Sequence, residues 1–183
     1  MREEKLVAAL SEIMAKKCGI YPDIAERLRT AAALHDIGKL LIDKNILNKP
    51  GKLTEQEFEI MKKHTTLGAE LLTDIQGEIG EMARNVCLLH HEWYNPSMGG
   101  YWGVPSDSLP EYVCIVSICD VAVALLSKRV YKEPWTAAEV IEYIRNQSGT
   151  QFNPMIAGIF INLMRHDENA KILFEKHNIE LCG

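Results

Sequence analysis

At 183 residues and 47% apolar content, the chain is long enough for one globular domain with a sizeable core. A net charge of −5 and the lack of any basic run argue against nucleic-acid binding, DNA included, which needs clustered Lys and Arg. No apolar run reaches membrane-spanning length, the N-terminus is not a signal-peptide core, and five cysteines without Cys-x-x-Cys spacing read as free thiols, so a soluble cytoplasmic protein is expected.

Residues 3–18 read as a helix, with Leu6, Val7, Leu10, Ile13 and Met14 on one side and Gly19 as its stop. Pro22 and Asp23 open a second helix carrying Ile24, Leu28, Ala31, Ala32 and His35. It is expected to run on through Asp36, Ile37 and Gly38, so that His35 and Lys39 share a face. Imidazole, carboxylate and amine within an apolar run carry a desolvation cost unless paired or metal-bound. Imidazole and carboxylate together suit a transition metal, Mg or Mn, with Lys39 placed for a phosphate. The alternative is a capped helix end, with Asp36 solvated and Gly38 simply stopping the helix.

Residues 43–53 read as a loop with a Lys49-Pro-Gly-Lys52 turn. Thr54 and Glu57 form a capping box for a helix with Phe58, Met61, His64, Gly68, Leu71 and Leu72 near one face. Residues 78–91 form the next helix, with Ile79, Met82, Ala83, Val86 and Leu89 inward and His90-His91-Glu92 at its end. Adjacent helical residues point about 100° apart, so His90 and His91 would serve two adjacent ions, or one ion from a frayed end. For His64, His90 and His91 the alternative is a core or helix-end histidine.

Residues 93–109 form a long Gly-, Pro- and aromatic-rich loop, suited to stack on a ring-bearing ligand or to plug the core. Ser108 and Glu111 read as another capping box, and the apolar helix that follows is interrupted by the single acid Asp120. A buried lone acid calls for a partner. Arg129 and Lys132 follow that helix, placed for phosphates or as ordinary helix-end cations. A helix over 134–147 has the Thr136/Glu139 box, Asn153-Pro154 opens another, and 167–183 reads as a short polar helix and tail. No β alternation persists. The fold expected is all-α, a single helical bundle of one domain over 1–183 with its core about 5–165.

His35, Asp36, His64, His90, His91 and Asp120 are thus six candidate metal ligands on facing elements. His35-Asp-Ile-Gly-Lys39 resembles the signature of the HD superfamily of metal-dependent phosphohydrolases. Ile46-Leu-x-Lys-Pro-Gly-Lys-Leu-Thr54, His64 before Gly68, His90-His91-Glu92, Gly100-Tyr101, Asp120, Arg129-x-Tyr131-Lys132 and Phe152-Asn153-Pro154 resemble its HD-GYP branch. The chain departs from that branch at Trp102 (for proline), Trp93 (for arginine), Asn95 and Val123 (for aspartates), and in two extra residues between His91 and Gly100. Glu3 stands about where a histidine ligand is usual.

The resemblance implies two divalent ions, or three, with Fe or Mn first and Ni, Co, Zn or Mg compatible. It implies that Asp36 bridges the ions, with His35 and Asp120 on one and His64, His90 and His91 on the other. Asp36 and Lys39 would be catalytic, and Lys39, Tyr101, Trp102, Arg129 and Lys132 would meet substrate. The implied reaction is hydrolysis of a cyclic dinucleotide, cyclic di-GMP first, to a linear dinucleotide or GMP. The alternatives are a catalytically weak signalling module that binds nucleotide or protein, and a mononucleotide phosphohydrolase. A sensory or receiver domain, or another signalling protein, is the implied partner.

Overall fold

A computed structural model describes residues 2–128, 133–177 and 179. Ten α-helices and two short 3-10 turns make up the regular structure of the described residues, which contain no strand. None of these helices is long and apolar enough to cross a membrane.

Helix α1 (Arg2–Lys17) buries Leu6, Val7, Leu10 and Met14 against α2 (Pro22–Ala32) and α7 (Glu111–Leu126). It ends where Gly19 takes φ +85° and the Ile20 N–H reaches back to the Ala15 carbonyl, a Schellman closure. In α2 the small residues Ala25, Ala31 and Ala32 are fully buried, which lets α1 and α6 (Gly77–Leu89) approach closely. Helix α7 is buried on most of its circumference, as its near-continuous apolar sequence requires. Helices α8 (Ala137–Asn146) and α9 (Pro154–His166) also pack against it. The expected caps of both hold, although α8 begins at Ala137 rather than 134: Thr136 and Glu139 form a reciprocal capping box, and the Asn153 side chain accepts from the Met155 N–H ahead of Pro154.

Several sequence-based expectations are corrected. Helix α2 stops at Ala32, so His35 and Asp36 lie on a turn and Lys39 on a 3-10 segment, Ile37–Leu41. The physical reason is Gly38. A β-carbon there would sit 1.9 Å from the His64 carbonyl oxygen and 2.5 Å from the Gly68 nitrogen, so the chain leaves the α-helical path to make a backbone-to-backbone contact. The helix expected from Thr54 onward is two, α4 (Glu55–Lys62) and α5 (His64–Leu71), with its capping box intact. At the break, His64 Nδ1 and the hydroxyls of Thr65 and Thr66 take the carbonyls of Met61, Lys62 and Lys63. Ile79, expected inward, is exposed, as are Phe58 and Leu71.

The loop after Ile42 holds a single helical turn, α3 (Lys44–Leu47), capped by Asp43 accepting from the Asn45 N–H. Ser108 and Glu111 form no capping box: α7 begins directly after Pro110, which puts Glu111 at the first helical position instead of the third. Finally, the short helix expected after Asp167 is α10 (Glu168–Glu175), but it is not polar throughout: Ala170 and Phe174 are fully buried and it packs on α1.

Candidate metal centre

Three histidines are aimed by the same local device. His35 Nδ1–H donates to the Ala32 carbonyl (2.8 Å), His64 Nδ1–H to Met61 (2.7 Å) and His90 Nδ1–H to Val86 (2.9 Å). A carbonyl acceptor on Nδ1 sets the tautomer and leaves Nε2 as the inward atom. All three rings are buried to 1% exposure.

The inward atoms converge on Asp36. Its Oδ2 lies 3.2 Å from His35 Nε2 and 2.5 Å from Lys39 Nζ. Its Oδ1 lies 3.3 Å from His64 Nε2 and 3.9 Å from His90 Nε2. Asp120 comes from the middle of α7, with Oδ1 3.5 Å from His35 Nε2. His91, two residues past the end of α6, lies tilted against His90 at 4.0 Å between ring centres. The adjacent pair can face one centre because α6 ends at Leu89 and His91 is on a turn.

Two donor groups result, Asp36/His64/His90/His91 and His35/His90/Asp120, each with its ligand atoms within 4.8 Å of one another. All six candidate ligands are therefore brought together. Asp36 Oδ1, His64 Nε2 and His90 Nε2 are buried and have no hydrogen-bond partner. Leaving such atoms unsatisfied is costly. Lone pairs of a carboxylate oxygen and an imidazole nitrogen facing each other across 3.3 Å repel unless a cation joins them. The donor set fits a borderline transition metal.

The protonation states agree. Burial pushes His64 and His90 below the ordinary histidine value and His91 down to about 4, keeping all three neutral and able to ligate. Burial opposes charge on Asp36 and Asp120 too, but hydrogen bonding and charge from His35 outweigh it. Asp36 is held well below the carboxylate range and Asp120 at about 2. His35 is the exception: against burial, its bonds to Asp120 and Asp36 raise it to about 10. In the ion-free protein it carries the compensating charge.

The centre opens into a cavity of about 570 Å³, in the range of small-molecule sites. Lys39, Met61, Tyr101, Ser127, Glu3 and Glu4 also line it. Tyr101 is tilted over His91 at 4.5 Å between ring centres. Trp102 does not line the cavity: its Nε1–H donates to Thr65 Oγ1 (3.2 Å) and Lys62 Nζ lies 5.1 Å from its ring. Arg129 and Lys132 lie outside the described residues.

Residues 5–125 match the family model described as HD domain. The chain belongs to the HD domain family. Its relatives include the cyclic di-GMP phosphodiesterase response regulator RpfG of Xanthomonas campestris pv. campestris, 39% identical over 143 residues, covering 78% of this chain and 37% of that protein. The 3'3'-cGAMP-specific phosphodiesterase 2 of Vibrio cholerae is 36% identical over 85% of this chain and 30% of its own length. A cyclic di-GMP phosphodiesterase of Thermotoga maritima is 36% identical over 88% of this chain and 44% of its length. This HD domain thus spans less than half the length of these relatives.

Among solved structures, Bd1817, an HDG"Y"P protein from Bdellovibrio bacteriovorus, superposes with a TM-score of 0.69 at 20% identity, covering 90% of this chain and 52% of that one. The L. monocytogenes phosphodiesterase PgpH HD domain in complex with cyclic-di-AMP superposes at 0.63 and 22% identity, covering 96% and 89%. These two likenesses establish the HD-domain fold.

Two residues of this HD domain do more than the sequence indicates, where Gly38 is at most a helix stop and Glu92 one letter of a motif. Gly38 makes the backbone contact that sets Asp36 against His64. Glu92, 3% exposed, accepts four backbone N–H groups from residues 101–104. A buried acid next to a histidine pair, ahead of a Gly-rich loop, was the readable signal for Glu92; Gly38 needs the tertiary contact.

Proposed function

We propose that this HD domain is a metal-dependent phosphodiesterase of the HD-GYP type that hydrolyses a cyclic dinucleotide, cyclic di-GMP first, to a linear dinucleotide or GMP. The observation that carries the reading is Asp36, whose two oxygens face two donor groups at the floor of an open cavity. The curated relatives support the substrate class.

In this reading His35, Asp36, His64, His90, His91 and Asp120 hold two divalent ions, Fe or Mn first. When bound, such ions supply Lewis acidity at a phosphoryl oxygen and lower the pKa of water. Lys39, partly exposed and already fixed by Asp36, contributes a positive charge at the phosphoryl oxygens. The Tyr101 hydroxyl, raised to about 12 by burial and the nearby carboxylates, stays protonated as a donor, and its ring covers one side of the centre.

Metal analysis of the purified protein, with hydrolysis of a cyclic-dinucleotide panel across several metals, tests the reading. Asp36→Ala should lose metal and turnover while keeping most of its helicity. A folded Asp36→Ala protein with wild-type turnover would overturn it. Bound metal with no turnover selects a binding module, and cleavage of mononucleotides alone selects another HD phosphohydrolase.

A further inference from the structure

His91 and Glu92 are consecutive but serve opposite sides of the cavity wall. The His91 ring faces the donor cluster, 5.2 Å from His64 between ring centres. The Glu92 carboxylate points into the following loop. Oε1 accepts the N–H groups of Tyr101 (3.2 Å) and Trp102 (2.9 Å), and Oε2 those of Gly103 (2.9 Å) and Val104 (3.1 Å). Charge-assisted bonds to a buried carboxylate are stronger than neutral ones.

The loop is shaped around this clamp. Gly99 lies flat on Trp93, where a β-carbon would come within 2.6 Å of the indole. Gly100 takes φ +99°, and a β-carbon on it would sit 3.1 Å from Glu92 Oε2. Tyr101 follows directly, its ring over His91 and edge-on to Phe58 at 5.7 Å. The aromatic wall of the cavity is thus tied to the same dipeptide that supplies a metal donor.

We propose that Glu92 is a positioning residue: through the 101–104 amides it fixes the Tyr101 ring against His91 and sets the clearance above the centre for a base-bearing ligand. The ligand part rests on the phosphodiesterase reading; the clamp does not. An acid that only anchored a loop for folding would alter stability and leave ligand affinity alone.

The test compares the full chain with Glu92→Gln, which keeps size but turns an amide NH2 toward two of the four donors. Amide hydrogen exchange at 101–104 should speed up roughly tenfold or more, and the Tyr101–His91 ring contact seen by nuclear Overhauser effect should weaken. Metal content should be unchanged, and KM for cyclic di-GMP should rise about tenfold with kcat within about threefold. Trp102→Phe removes the bond to Thr65 but not the clamp, and should leave the 101–104 amides protected. Should Glu92→Gln fail to fold, Gly100→Ala, which crowds Oε2, is judged by the same readouts. Protected amides with an intact ring contact in Glu92→Gln overturn the proposal, as do released amides with an unchanged KM. If the wild type hydrolyses no cyclic dinucleotide, the phosphodiesterase reading fails, and the clamp is decided by exchange and ring contact.

Discussion

Gly38 touches His64 through backbone alone: the closest atom to a β-carbon at Gly38 would be the His64 carbonyl oxygen, at 1.9 Å. At position 38 only a hydrogen side chain fits. The contact places Asp36, two residues earlier, against the His64 ring.

Gly38→Ala is therefore expected to push the 3-10 segment off α5. Overpacking of this kind costs about 1–3 kcal/mol. Denaturant unfolding should show that loss, and metal affinity should fall with it as Asp36 and His64 separate. Wild-type metal affinity in a folded Gly38→Ala protein would contradict the arrangement.

Asp36 and Asp120 should differ in their consequences. Asp36 faces both donor groups, while Asp120 belongs to the one with His35 and His90. Asp120→Asn is expected to reduce bound metal in part, and Asp36→Asn to abolish it, by elemental analysis of the purified proteins. Equal losses would mean that the two groups do not load separately.

Lys39→Ala removes a positive charge without removing a ligand atom. Turnover should fall about 10²–10³-fold, as for loss of one preorganised donor at a developing negative charge. Metal content should stay at the wild-type level. Parallel loss of metal and turnover would reassign Lys39 to holding Asp36 in place.

The ion-free protein should be most stable near pH 6.5. His35 has a folded pKa raised to about 10 against an unfolded 6.5, so its contribution is complete below 6.5 and is lost as pH rises through about 10. His91 is depressed to about 4, so the unfolded chain binds more protons between 6.5 and 4 and stability falls with acidification. Thermal unfolding in chelator from about pH 4 to about pH 10 checks both flanks. Loss confined to the acid side would mean that His35 is neutral.

Phe174→Ala tests the last helix. Emptying a fully buried phenylalanine site costs about 3–5 kcal/mol, whereas a helix polar on every side would tolerate the change.

The ligand set was legible because histidine and aspartate are conspicuous in apolar stretches and their order matches a family pattern. The helix starts at Thr54, Thr136 and Asn153 were legible because capping is local chemistry. What could not be read depends on contacts distant in sequence. The end of α2 is set by α5 through Gly38, which no periodicity reports. The break at Lys63 comes from three neighbouring side chains capturing carbonyls together, although each is tolerated in a helix. The helix after Asp167 reads as polar by composition, and the burial of Phe174 shows only where α10 packs on α1.

The carbonyl anchors on Nδ1 have a consequence for the order of events. Each one lies three or four residues upstream of its own imidazole, so a ring takes up its orientation when its local turn forms. An arriving cation has little rotamer freedom left to quench. The ion is therefore expected to meet rings already aimed inward, so little side-chain ordering is left for the binding step.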